Sequence, residues 1–226
     1  MRRTIEAQAS HFKVTQVFGF DSAVSIESTL DPVSLQSGGE RKKEFQSALA
    51  EAVTVQTDRI FTGDVKADLT WFISEERRYS THIVADLDNV IKPLFDAVTG
   101  TGRIMIDDNQ VQQIGASWID AQPGDLKFRL VISALSAHEF ILRQGIEFVD
   151  LGSPYGCMLL ADMPAEMKLM MIEGVTAATQ RQKDLLNLGV DPDVARMHMP
   201  MQRFYPSARL NGFVVKTLAE ALHSQV

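Results

Sequence analysis

The chain has 226 residues, of which 45% are hydrophobic and 23% are charged, an ordinary globular composition. It has no run of about 18 apolar residues, so no membrane span is expected. Its one cysteine, Cys157, excludes an internal disulfide, and this lone thiol together with the polar start of the chain favours the cytoplasm. The net charge of −7 counts against a broad nucleic-acid surface, so only local basic clusters could hold phosphates.

The first 136 residues predict a mixed sheet with flanking helices, which is an α+β architecture. Apolar residues that alternate or form short runs between turn signals predict the strands. Apolar residues at helical spacing predict helices over 40–53 and over the stretch that follows residue 88. The predicted strands are 12–20, 22–30 (alternatively a loop leading to the substrate), 65–73, 81–85, 103–106, 111–119 and 127–135.

The stretch 86–96, D-L-D-N-V-I-K-P-L-F-D, places ionisable groups beside apolar ones at a predicted strand-to-helix junction. In extended backbone the side chains of residues i and i+2 point to the same side, so Asp86 and Asp88 can converge on one point. Asp88 or Asn89 is expected to cap the helix. Pro93 lacks an N–H and is tolerated only near the first turn, which predicts that the regular helix starts between residues 89 and 92.

Lys92 lies on this predicted helix at i+4 from Asp88, and Asp96 follows at i+8, so the three share one face. An ammonium at that position could bind a phosphate or stabilise developing negative charge.

A second acidic step, Asp107-Asp108, follows the predicted strand 103–106. In extended backbone these two side chains point to opposite faces, so only one is expected to reach Asp86 and Asp88. Three carboxylates that close would not all ionise unaided, and a hard divalent cation removes the conflict. The acids therefore predict a site for Mg²⁺, or alternatively Mn²⁺, that activates water for phosphoryl chemistry.

The two blocks, D-x-D-N-x-x-K-P-x-x-D and then D-D-x-Q-V, resemble those of the RusA-type Holliday junction resolvases, or crossover junction endodeoxyribonucleases. The resemblance is loose from about residue 12 to 135 and sharp between 86 and 111. The residues that carry it are Asp86, Asp88, Asn89, Lys92, Pro93, Asp96, Ala97, Asp107, Asp108, Gln110 and Val111.

The resemblance implies a RusA-like fold and a small, dimeric, Mg²⁺-dependent endonuclease. Such an enzyme nicks opposing strands of branched DNA, four-way junctions above all, in recombination and repair. Matched by position, the implied metal-binding triad is Asp86, Asp88 and Asp108. Its acidic neighbour Asp107 is a further candidate metal ligand, and the choice between Asp107 and Asp108 as the direct ligand stays open. Lys92 matches the essential lysine, and Asn89 is expected to support the ligands.

Basic residues near these blocks are the candidate DNA contacts, and solvated surface is their alternative interpretation. They lie at the start of the helix 40–53, in a charged loop predicted over 75–79 and just before the second acidic step. They are Arg41, Lys42, Lys43, Arg77, Arg78 and Arg103.

The resemblance stops after residue 136, which predicts a nuclease domain over 1–136 and a mainly helical extension of unknown role over 137–226. Apolar spacing predicts helices over 165–188 and 207–222, and Asp191 followed by Pro192 predicts the start of a short helix. Eight of the ten methionines lie between residues 158 and 201. They are interpreted as additional core or as an oligomer or partner interface.

Two other functions stay open. A D-x-D pair also holds Mg²⁺-nucleotide in phosphoryl and glycosyl transferases, although no glycine-rich nucleotide loop accompanies it here. A non-catalytic relative that binds DNA or protein suits the acidic net charge, but it leaves the acids and Lys92 without an explanation.

Overall fold

The computed structural model describes residues 7–80, 86–121, 124, 126–136, 138–153, 155–199 and 202–223. The chain divides into two compact units, Met1–Arg143 and Gln144–Val226. The boundary of the nuclease domain at residue 136 stays a prediction. No helix in the described ranges is long and apolar enough to cross a membrane.

The first unit is built on a five-stranded mixed sheet, which confirms the predicted α+β class. Its elements in chain order are β1 (Phe12–Val17), β2 (Ala23–Ser28), α1 (Gly39–Gln56), β3 (Arg59–Phe61), β4 (Val65–Phe72), α2 (Glu75–Ser80), α3 (Leu87–Val98), β5 (Val111–Ile119), β6 (Phe128–Ala134) and β7 (Phe140–Leu142). The sheet order is β1-β2-β6-β4-β5; only β4 and β5 are parallel neighbours, and β3 pairs separately with β7.

Helices α1 and α3 cover one face of this sheet. The ring of Phe45 on α1 lies 5.3 Å from Phe12 and 6.2 Å from Phe128, measured between centroids. Leu49 of α1 and Leu94 of α3 are fully buried, as the apolar spacing of both helices predicts. Each such leucine stabilises the fold by about 1.5–3 kcal/mol relative to an exposed position.

Two local predictions in this unit are wrong. Residues 103–106 form no strand: Ile104, Met105 and Ile106 are buried, but only Met105 makes isolated bridges, to Phe61 and Thr99. Their apolar run reflects burial rather than strand pairing. The charged loop predicted over 75–79 is instead α2, which has acids in its first turn and bases in its last, the order that the helix dipole favours.

Two further predictions have different outcomes. Of the alternatives for 22–30, the strand is right, since β2 pairs with both β1 and β6. The strand predicted over 81–85 lies outside the described residues.

The second unit combines three helices with a four-stranded sheet that the sequence analysis did not predict. Its elements are β8 (Glu147–Asp150), β9 (Cys157–Leu160), α4 (Ala165–Asn187), α5 (Pro192–Arg196), β10 (Phe204–Tyr205), β11 (Val215–Thr217) and α6 (Leu218–His223). The sheet order is β10-β9-β8-β11, with β11 parallel to β8. The predicted cap at Asp191 is confirmed, because its carboxylate accepts from the amides of Asp193 and Val194.

The helix predicted over 207–222 is wrong. Its first part is a 3-10 turn at Ser207–Arg209, and β11 pairs with β8 before α6 begins. Phe213 lies against Phe148 with ring centroids 5.3 Å apart. The apolar residues of this segment are spaced as in a helix, but they pack on a sheet. Strand pairing with β8 therefore outweighs the local preference for a helix.

Candidate functional site

Helix α3 presents the first two acids at its N-terminus. Asp86 is the N-cap residue, with extended backbone at φ −68° and ψ 155°, and its carbonyl accepts from the amide of Asn89 at 3.1 Å. The expectation that Asp88 or Asn89 caps this helix is therefore wrong, since α3 begins at Leu87. The Asp86 carboxylate makes no capping hydrogen bond, and both Asp86 and Asp88 are exposed. Within the described ranges neither carboxylate has an ion-pair partner.

Pro93 is the seventh residue of α3, so the predicted helix start between 89 and 92 is also wrong. Proline has no N–H for the carbonyl of Asn89, four residues earlier. The structure satisfies that carbonyl from outside the helix, because the amide of Leu35 donates to it at 2.9 Å. Gln46 of α1 donates to the Pro93 carbonyl at 3.2 Å. The proline thus attaches the loop before α1 to the helix that carries the acids.

Lys92 joins α3 to the second acidic step. Its Nζ lies 2.5 Å from Oδ2 of Asp108 and 2.7 Å from Oδ1 of Asp96. Burial lowers the pKa of Lys92, but the hydrogen bonds to Asp108 and Asp96 and their charges raise it by more, so the net pKa lies above its ordinary value. Lys92 is therefore an ammonium at neutral pH. Sequence spacing placed Asp96 on this face without giving it a role.

The side chains of the two acids of the second step separate, but not by the expected alternation of extended backbone, because only Asp107 is extended and Asp108 begins a 3-10 turn. Asp107 is 3% exposed, and its carboxylate accepts from the backbone amide of Asn109 at 3.2 Å and from its side-chain amide at 3.4 Å. It thereby caps the 3-10 turn Asp108–Gln110. The side chain of Asp108 is 21% exposed and faces Lys92. Of the two, Asp108 is the one that meets α3.

The donor types fit a hard divalent cation, since Asp86, Asp88 and Asp108 offer carboxylate oxygens. The structure does not gather all three: among the residues it describes, no group of three or more His, Cys, Asp or Glu could hold a metal ion. Instead, the Lys92 ammonium occupies a cation's position beside Asp108. A metal at these residues would share Asp108 with Lys92 or displace it.

One family model matches the part of the chain that carries this candidate site. Residues 37–129 match the family model described as endodeoxyribonuclease RusA. This matched segment, which is less than half of the chain and is called the RusA segment below, is similar to that family. The resemblance inferred from the two acidic blocks is thereby confirmed, and RusA nucleases are generally dependent on a divalent metal. No curated protein matches the chain.

The RusA segment extends from just before α1 into the start of β6, and every predicted site residue falls within it. The second unit lies wholly outside it.

Arg77 and Arg78 of α2, which lie within the RusA segment, make different contacts. Arg77 Nη1 lies 2.7 Å from Oδ2 of Asp31, which neutralises its charge. The guanidinium carbon of Arg78 lies 4.8 Å from the ring centroid of Trp118, which itself stacks on Trp71 at 4.9 Å. In the described part of the chain Arg78 has no carboxylate partner. The aromatic face orients this guanidinium while its N–H edges stay available to phosphate. The contact with Trp118 is not predictable from the sequence, because no local pattern links Trp118 to Arg78.

The other basic candidates also differ in how exposed they are to a DNA ligand. Arg41, Lys42 and Lys43 lie in the first turns of α1, and Arg41 and Lys43 are exposed without an ion pair in the described ranges. Arg103 is half-buried, and burial lowers its pKa. Its carbonyl accepts from Nη1 of Arg143 at 3.2 Å, so its backbone belongs to the packing around the end of α1. Arg103 is thus a poorer candidate for DNA than the α1 cluster.

Proposed function

We propose that the chain is a divalent-metal-dependent endonuclease that cleaves Holliday junctions or other branched DNA in recombination and repair. The RusA match supports nuclease chemistry. The observation that carries the site assignment is the ion pair that brings Lys92 of α3 to Asp108 of the second acidic block. Two blocks that are separate in sequence thus meet at one place on the surface.

In this proposal Asp86, Asp88 and Asp108 hold the metal, which is Mg²⁺ or Mn²⁺. When bound, it would supply a Lewis acid and an activated water for attack on the scissile phosphate. Asp107 caps the turn that carries Asp108, and Asn89 fixes the first turn of α3 through its backbone.

Lys92 supplies a positive charge beside the proposed metal ligands. Lys92 is protonated at neutral pH and is kept near the acids by Asp96 as well as by Asp108. A turn of its side chain away from Asp108 lets the ammonium pair with a phosphoryl oxygen. There it stabilises the negative charge that develops in the transition state.

DNA is held, in the same proposal, by Arg78 and by the cluster Arg41, Lys42 and Lys43 at the start of α1. These local charges offset the acidic balance of the chain, whose net charge is −7. Cleavage of opposing strands needs two sites, so a homodimer is part of the proposal. The single cysteine keeps the cytoplasm as the predicted compartment.

The experiment is cleavage of a synthetic four-way junction by the full chain, with Mg²⁺, Mn²⁺ or a chelator, beside linear duplex and flap substrates. The proposal expects metal-dependent paired nicks on branched DNA and little cleavage of linear duplex. Absence of cleavage of all three substrates with either metal would overturn it.

A non-catalytic relative that binds DNA or protein is the second candidate. It is favoured by one observation, namely that the described residues gather no three-acid metal cluster. Calorimetry separates the candidates, because the nuclease proposal requires Mg²⁺ or Mn²⁺ binding that is lost in Asp88→Asn. Junction binding without any metal binding would favour the non-catalytic protein.

A further inference from the structure

Gln110 is a fully buried polar side chain directly after the acidic pair. It lies in the second block, D-D-x-Q-V, where the sequence analysis gave it no role. A buried amide is costly unless its hydrogen-bonding groups are paired, so its partners indicate what it does.

The side-chain amide of Gln110 makes four hydrogen bonds, all to backbone. Its Oε1 accepts from the amides of Ile106 at 2.7 Å and Asp107 at 3.0 Å. Its Nε2 donates to the carbonyls of Phe61 at 2.9 Å and Gly63 at 2.8 Å. Both donors and both acceptor positions of the amide are therefore used.

These bonds replace a strand ladder that is missing at this place. The segment before Asp107 forms no strand, and Met105 makes only isolated bridges. The Gln110 side chain connects this segment to the end of β3 and to the turn that leads into β4. Backbone hydrogen bonds hold residues 104 and 105, and the Gln110 side chain holds the amides of the next two residues, Ile106 and Asp107.

We infer that Gln110 is a positioning residue of the proposed nuclease site. By holding the amide of Asp107, it keeps the carboxylate of that residue buried and leaves Asp108 directed at Lys92. The inference rests on the proposed function for its catalytic consequence. Its structural part, the fixed backbone at Ile106 and Asp107, stands independently of that function.

The test uses Gln110→Met, which keeps the length of the side chain and removes all four hydrogen bonds. The matched control is Gln112→Met, at an exposed glutamine two residues later, in β5. The inference expects kcat on the four-way junction to fall by about 100-fold, the effect of a displacement of roughly 1 Å, with KM near the wild-type value. The control keeps both constants.

Backbone amide hydrogen exchange on the same full-length variants gives a readout without activity. The inference expects the amides of Ile106 and Asp107 to exchange faster in Gln110→Met while amides of β4 and β6 keep their protection.

If Gln110→Met does not fold, Gln110→Glu replaces it. That variant keeps the two bonds that Oε1 accepts and loses the two donations to Phe61 and Gly63. Its kcat is expected to be lower than that of the wild type and of Gln112→Met, but not zero.

Three outcomes would overturn the inference: wild-type kcat in the Gln110 variant, unchanged exchange at Ile106 and Asp107, or faster exchange throughout the sheet, which marks a residue that only supports the fold. If the wild type cleaves no DNA, the proposed function fails by itself. The exchange pattern then still decides whether Gln110 fixes the acidic segment.

Discussion

The ammonium of Lys92 and the carboxylate of Asp108 lie 2.5 Å apart although 16 positions separate them in the chain. The two side chains are 47% and 21% exposed, and ion pairs of that exposure stabilise a fold by only about 0–1 kcal/mol. The pair is therefore a weak structural link. Its importance in our account is chemical, because it places a cation beside the acids proposed to bind metal.

Lys92→Met is expected to abolish cleavage while it changes the free energy of unfolding by no more than about 1 kcal/mol. The matched control is Lys66→Met, since Lys66 forms a similarly exposed ion pair with Asp68 at 2.9 Å on β4. Thermal unfolding and junction cleavage measure the two effects. Cleavage lost equally in both variants would show that the effect is not specific to the site.

Arg78→Ala is expected to weaken DNA binding more than Arg77→Ala, because Asp31 already neutralises Arg77. A guanidinium that binds one phosphate contributes about one unit to the slope of log K against log salt concentration. Binding of fluorescent junction DNA over a salt series measures this slope. Equal slopes for the two variants would contradict the role of the Trp118 stack.

Asp107→Asn is expected to retain metal binding, whereas Asp108→Asn loses it. Asp107 is buried and accepts from the amide of Asn109, and an asparagine oxygen can accept the same bond. Asp108 faces Lys92 at the surface. Calorimetry measures the binding of Mg²⁺ and Mn²⁺ by both variants. Loss of metal binding in Asp107→Asn with binding retained in Asp108→Asn would show that Asp107, and not Asp108, is the metal ligand.

Glu147 in the second unit predicts a pH dependence of stability. Burial raises its pKa, but hydrogen bonds from Lys168 at 2.8 Å and Lys216 at 2.6 Å lower it by more, so the net pKa lies below the ordinary value of 4.5. A lowered carboxyl pKa adds stability above the unfolded-state value and loses it as pH falls through the folded-state value. Glu147→Gln is thus expected to cost about 2 kcal/mol at neutral pH, the scale of hydrogen bonds to a charged group.

Denaturant unfolding of the full chain across a pH series checks this expectation. The difference between wild type and Glu147→Gln should shrink below pH 4.5. Glu173→Gln, at an exposed position of α4, is the control and should leave the curve unchanged. A difference that stays constant with pH would contradict the role of the Glu147 charge.

Local patterns were enough to predict much of the first unit. The alternation from Val65 to Trp71 predicts β4 because each apolar residue faces the core on one side of the sheet. The acids were also recognised from their spacing and order. Where α3 begins was not predictable, because the carbonyl released by Pro93 finds its donor at Leu35, in a loop far away in sequence.

Long-range contacts explain the remaining errors. Residues 103–106 have the composition of a strand, but the side chain of Gln110 takes the amide of Ile106 that a neighbouring strand would otherwise bond. The segment 207–222 has helical spacing, but Val215 pairs with Phe148 in a parallel ladder. The ion pair between Lys92 and Asp108 likewise depends on the tertiary fold. Sequence spacing identifies the acidic residues, but it does not show whether Asp107 or Asp108 pairs with Lys92.

The most direct test of the central claim compares wild type with Asp88→Asn on a four-way junction, with cleavage and binding measured together in the presence of Mg²⁺. We expect the wild type to make paired nicks, and we expect Asp88→Asn to bind the junction as before without cleaving it. Full cleavage by Asp88→Asn would contradict the assignment of this acidic cluster as the nuclease site.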